Sequence, residues 1–137
     1  MNRDDILSLL RNYLAGIDTY PSLMQELSDK LESSGREVRF FKLLATQLDV
    51  LISLGVDATK HKNFEILRHS GGIYSMQCKG QGFNIRILYA FLPNSAPTLL
   101  LAFYEKEGKE KTDYTNEIPA AARRLQERKK ELGYEKK

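Results

Sequence analysis

Disulfide chemistry has almost nothing to work with in this chain. Cys78 is its one cysteine in 137 residues. That excludes an internal disulfide framework and fits a reducing compartment. Zinc is not expected either, because Cys78, His61 and His69 stand in neither a C-x-x-C nor an H-x-x-x-H spacing. No apolar run approaches the ~18 residues of a transmembrane helix. The opening MNRDDILSLL lacks the apolar core and cleavage site of a signal peptide. A cytoplasmic protein with no membrane partner is the expectation. Excess charge is scarce too. Twenty-one lysines and arginines face 18 acidic residues, and a net charge of +3 does not announce nucleic-acid binding. No P-loop, G-x-S-x-G or dinucleotide fingerprint is present, so no cofactor is expected.

What is there reads as one α+β domain with one core. Asn2 can cap a first helix whose apolar residues Ile6, Leu10, Tyr13, Leu14 and Ile17 recur at helical spacing. A second helix begins near Tyr20-Pro21, with Leu23, Leu27 and Leu31 as its stripe. Ser34 and Glu37 form a candidate capping box for a third. That helix carries Val38, Phe41, Leu44, Ala45, Leu48 and Ile52, and stops at Gly55. The period then shortens. FEILR, IYSMQCK, FNIRILYAFL and TLLLAFYEK read as strands joined by turns short enough to imply antiparallel neighbours. A last helix runs from about Asn116 to Leu132. Its apolar face is Ile118, Ala122, Leu125 and Leu132, and its basic face is Arg123, Arg124, Arg128, Lys129 and Lys130.

Strand side chains alternate between faces. Along FNIRILYAFL, Phe83, Ile85, Ile87, Tyr89 and Phe91 make an apolar face for the helices, which leaves Arg86 on the other. Pairing Leu92 with Thr98 sets Arg86 opposite Tyr104 and Asn84 opposite Lys106. Arg86, Tyr104 and Lys106 then share one end of the sheet. Lys109, Lys111 and Tyr114 follow closely enough to close over it. Lysine and arginine suit phosphate oxygens, and tyrosines can stack on unpaired bases. Glu105, Glu107 and Glu110 interleave with those lysines and cancel part of the field, so a solvated rim is the competing reading. His61 and His69 fall near strand ends, where either can exchange protons near neutral pH. Cys78 alternates with Tyr74 and Met76 as a half-buried strand position.

The order of these pieces resembles the RelE/ParE toxin superfamily, and most of all its HigB-like, phage-derived branch. The resemblance rests on LDVLISLG, KNFEILRHSGGIYSMQ, IRILYAF, LLLAFYEK and EIPAAARRLQERKKEL, in that order across about four fifths of the chain. Residues 1–18, the first helix, fall outside it. The resemblance implies N-terminal helices on a small twisted antiparallel sheet, closed by a C-terminal helix. It implies the toxin of a type II toxin–antitoxin pair, neutralised by a cognate antitoxin. In the RelE and HigB branches the activity is metal-independent endoribonuclease cleavage of mRNA on the translating ribosome, which blocks translation. ParE relatives inhibit DNA gyrase instead.

By that resemblance Arg86 matches the arginine of an R-x-x-Y strand, Lys106 a basic residue after the next strand, and Tyr114 a tyrosine before the last helix. These three become the candidate catalytic residues. Tyr104, Lys109, Lys111, Arg123 and Arg124 are the candidate RNA-binding residues. His69 is an outside candidate for acid or base. Two departures stand out. The usual Y-E-L-R reads Tyr74-Ser75-Met76-Gln77, and the usual basic pair reads Glu105-Lys106. They leave open a second reading, a non-enzymatic inhibitor or a catalytically weakened relative acting as a binding module.

Overall fold

Four helices and a five-stranded sheet build the chain, and the sheet is buried from both sides. The structure is a computed structural model and describes residues 1–105 and 114–134. The helices are α1 (Arg3–Tyr13), α2 (Leu23–Leu31), α3 (Glu37–Leu54) and α4 (Glu117–Glu131). The strands are β1 (Asp18–Thr19), β2 (Phe64–Ile66), β3 (Tyr74–Gly80), β4 (Phe83–Phe91) and β5 (Pro97–Tyr104), in the spatial order β1-β5-β4-β3-β2. None of the described helices is long and apolar enough to cross a membrane.

The first three helices pack on one face. Asn2 accepts a hydrogen bond from the Asp5 amide and starts α1, as its sequence signals. Ile6, Leu10 and Leu14 of this segment lie fully inside the main core, beside Leu23, Leu27 and Leu31 of α2. The helix that the family resemblance leaves out is therefore part of the core. On α3 the buried stripe differs from the expected one. Val38 and Ile52 are exposed and Ala45 is half-buried, while Phe40, Gln47 and Leu51 turn inward with the expected Phe41, Leu44 and Leu48. Two apolar lines run along this helix, and its docking on β3 selects between them. Gln47 donates to the Gln77 carbonyl on that strand. The Ser34–Glu37 capping box does not form as expected. Ser34 Oγ accepts from the Arg36 amide and donates to the Glu37 carboxylate at 3.4 Å, and that carboxylate also meets the amino group of Met1 at 3.0 Å. Cys78, expected half-buried, is fully buried in this core, and burial pushes its thiol up to about 12.

The strands β2 to β5 are antiparallel neighbours, but the sheet is mixed. β1, missed in the sequence, adds to β5 in parallel through Asp18–Thr98 and Thr19–Leu99. Two residues carry too little pattern to read as a strand. The β4–β5 ladder departs from the expected register at a bulge. Leu88 pairs with Leu101 and Tyr89 with Leu99, which leaves Leu100 as the extra residue. That one residue reverses the parity of everything after it. Arg86 therefore faces Phe103, and Tyr104 sits opposite Ile85 on the helical side.

The other sheet face has a smaller core of its own. Leu88, Ala90, Leu100, Leu67 and Ile73 lie under Ala121 and Leu125 of α4. The inward line of α4 passes through Ala121 rather than Ala122, and Leu132 is exposed. The helix is also clamped along its flank. Arg124 forks onto Glu26 of α2 at 2.5 and 2.8 Å and donates to the carbonyl of Leu100, the extra residue of the bulge. Arg128 forks onto Asp18, which also accepts from Thr98 at 2.6 Å. Burial pulls the Asp18 carboxyl upward, but the bonds from Arg128 and Thr98 outweigh it and leave it below its ordinary value.

Candidate functional site

α4 covers only part of its sheet face. Beyond its first turn, β4 still alternates, so the next outward side chains after Leu88 are Arg86 and Asn84. Their cross-strand neighbours on β3 are Gln77 for Arg86 and Lys79 for Asn84, with Ser75 beside Leu88. On the edge strand β2, Glu65 pairs with Ser75. On the far side, the Glu105 amide donates to the Asn84 carbonyl, which places Glu105 on this same face at the end of β5. Apart from the exposed Lys79, six of these polar side chains, Arg86, Asn84, Gln77, Ser75, Glu65 and Glu105, meet beyond the start of α4.

Arg86 is the hub. Its Nε donates to Glu105 at 3.0 Å and its Nη2 to the other oxygen of the same carboxylate at 3.4 Å. Its Nη1 reaches Glu65 at 3.3 Å and Ser75 Oγ at 3.4 Å. Asn84 and Gln77 also donate to Glu105, at 2.6 and 3.3 Å. The Arg86 and Glu105 side chains are 13% and 12% exposed, so their pairing is shielded, while Glu65 is half exposed and open to solvent.

Tyr114 closes one wall. Its ring stacks edge-on against Phe103 at 5.9 Å, and the Arg86 guanidinium lies 6.0 Å from its centroid. The phenol donates to Glu65 at 2.7 Å, and Ser75 Oγ stands 3.1 Å away. Burial pushes this phenol up to about 12, with Glu65 adding to the rise and Ser75 and Arg86 opposing it. It is therefore a proton-bearing group throughout the physiological range.

Of the residues marked in the sequence, the fold brings Arg86 and Tyr114 together. It does not bring Tyr104 to them. The bulge turns Tyr104 to the opposite face, where its hydroxyl donates to the Lys30 carbonyl. Arg124 faces Glu26 and lies over the Tyr20 ring at 4.6 Å, and Arg123 is exposed on the outer side of α4. Lys106, Lys109 and Lys111 lie outside the described residues. His61 and His69 are exposed, His69 in a turn at a φ of 57°. Glu65, Asn84 and Gln77 escaped the sequence reading as site residues. Glu65 had one usable signal, an acidic residue on a short strand before the glycine turn, but only its pairing with Ser75 aims it at Arg86. Among the described residues no group of three or more histidines, cysteines or carboxylates is placed to hold a metal ion.

Chemically, the cluster offers a solvent-facing carboxylate, a guanidinium fork and a buried phenol in one hydrogen-bonded chain. This is a set suited to moving a proton beside a phosphate or carbonyl oxygen. Two carboxylates against one guanidinium leave it short of positive charge. No protein-family model matches the chain, and no curated protein does.

Proposed function

We propose that this chain is the toxin of a type II toxin–antitoxin pair and cleaves mRNA on the translating ribosome. The observation that carries the reading is the convergence of Glu65, Arg86 and Tyr114 on an open sheet face. In this reading Glu65 takes the proton from a ribose 2′-OH, and the 2′-oxygen attacks the adjacent phosphorus. The bond to the 5′-oxygen breaks, leaving a 2′,3′-cyclic phosphate and a new 5′-hydroxyl. Arg86 stabilises charge on the phosphate as it develops. Tyr114, a stronger acid than the 5′-alcohol that forms, supplies the leaving oxygen with its proton. Lys106, Lys109 and Lys111 are the lysines best placed in sequence to add positive charge. A cognate antitoxin is the expected protein partner, and the ribosome with its message the target.

Expression of the chain in growing cells, followed by mapping of mRNA ends, tests this. New cuts inside translated messages, absent with Glu65→Gln, are expected. The Glu105 carboxylate favours a second reading, because it already occupies the Arg86 fork. A binding inhibitor of gyrase or another host machine, without chemistry of its own, would leave messages intact while growth stops, with damaged DNA if gyrase is the target.

A further inference from the structure

Glu105 is held in an unusual way for a strand-end carboxylate. Among the described residues it accepts from four donor atoms on three side chains, the Arg86 Nε and Nη2, the Asn84 amide and the Gln77 amide. Those three residues need no contribution from β5 to stand together. Arg86 and Gln77 are a cross-strand pair on β4 and β3, Asn84 is two residues along β4, and Gln77 also donates to the Asn84 side chain at 3.0 Å. The donors form a cradle fixed by one hairpin, and the anion inside it arrives from another strand.

We propose that Arg86, Asn84 and Gln77 form a phosphate-binding cradle, and that Glu105 is an internal plug a phosphoryl group of the ligand displaces. A carboxylate presents two oxygens at the spacing a guanidinium fork accepts, and a phosphodiester presents a matching pair in its two non-bridging oxygens. The oxygen that meets the Arg86 Nε would also accept from Asn84 and Gln77, as one Glu105 oxygen does. Assigning the ligand as an RNA phosphodiester rests on the ribonuclease reading; the cradle as an anion site does not. The plug sets the affinity. Incoming phosphate must break these charge-assisted contacts before it makes its own, so the resting protein binds anions weakly.

The test is binding, measured apart from cleavage. Inorganic phosphate and a short single-stranded DNA, which lacks the 2′-OH and so resists this chemistry, are titrated into the wild-type chain and Glu105→Gln. Each variant is first checked for a cooperative thermal melt. Removing the resident charge is expected to tighten binding of the oligonucleotide about ten-fold or more, the scale of one charged hydrogen bond. Adding Arg86→Lys to Glu105→Gln, which keeps the charge and removes the fork, is expected to cancel the gain. A gain for free phosphate but not for the oligonucleotide assigns the cradle to small phosphorylated ligands and overturns the RNA assignment. A folded Glu105→Gln with unchanged affinity, or a gain that survives Arg86→Lys, overturns the cradle. If Glu105→Gln does not fold, Glu105→Asp draws the carboxylate back by one methylene and is expected to show a smaller gain. If neither folds, Glu105 holds the sheet end together and is no plug. Tighter oligonucleotide binding with intact messages in cells retains the cradle and removes the ribonuclease reading. Cleavage without any such gain does the reverse.

Discussion

One face of the sheet contains two environments a few residues apart. Under α4, Leu88, Ala90 and Leu100 are buried among Ala121 and Leu125. Past the first turn of the same helix, Arg86, Asn84 and Glu105 form a polar network. Both halves lie on β4 with the same alternation and the same pleat. The difference is the helix. Where α4 covers the face, a polar group would have to leave water without a partner, so the strand carries leucine and alanine. Where cover ends, charge is tolerated because the neighbouring strands supply donors and carboxylates in register. The comparison teaches that the polar network is confined to what the closing helix leaves open.

The covered half should respond to truncation with lost stability. Leu88→Ala is expected to cost ~2–5 kcal/mol, measured by urea or thermal unfolding, because the side chain is fully buried on both flanks. An unfolding midpoint unchanged from wild type would mean that α4 repacks freely, and the two halves would not be distinct.

In the open half the effect should appear as activity. Arg86→Lys keeps the charge and loses the fork, and is expected to lower mRNA cleavage by ~100 to 1,000-fold with a nearly normal melt, on the scale of a lost transition-state donor. Full toxicity in a folded Arg86→Lys would reduce the network to a structural one.

A double-mutant cycle on Arg86→Gln and Glu105→Gln sharpens the distinction. The pair is shielded and bidentate, so a coupling of roughly 0.5–3 kcal/mol in unfolding free energy is expected. Arg86→Gln takes the guanidinium from a shielded Glu105, and Glu105→Gln leaves Arg86 with the solvent-facing Glu65, so the double change is expected to cost less than the sum of the two singles. Additive changes would show that the ion pair contributes nothing beyond its separate hydrogen bonds.

The smallest expected effect concerns how α4 is held over its half. The folded-state value of Asp18 is lowered, so its contribution is complete above the ordinary carboxylate value near ~4 and is lost as pH falls through the folded value. Thermal melts of the wild type should therefore drop below pH ~4 by more than those of Asp18→Asn. Identical acid profiles would indicate that Arg128 holds the helix without help from Asp18.

Several features were legible in the sequence because they are local. Helical spacing marked Leu23, Leu27 and Leu31, alternation marked the apolar face of β4, and both stripes are buried as read. The same alternation put Arg86 off the main core, and its cluster with Tyr114 followed from a short connection into α4. Other features depend on events that a residue's own neighbours do not encode. Nothing local to Tyr104 announces a bulge four residues earlier, yet that bulge decides which face it takes. Val38 and Phe40 are both good inward residues for α3, and only docking against β3 chooses between them. Glu105 reads as a solvated charge and Glu65 goes unmarked until the pairing of β2 with β3 and of β4 with β5 brings both to Arg86.

By itself, then, the sequence determined the four helices and the strands β2 to β5, because periods of 3.6 and 2 are properties of consecutive residues, while β1 is too short to show one. It also determined that one arginine would stand outside the helical core. The tertiary structure alone decided which partners that arginine meets. Cross-strand contacts depend on register, and register turns on a single inserted residue whose effect on energy is felt only when two sheet faces are buried at once.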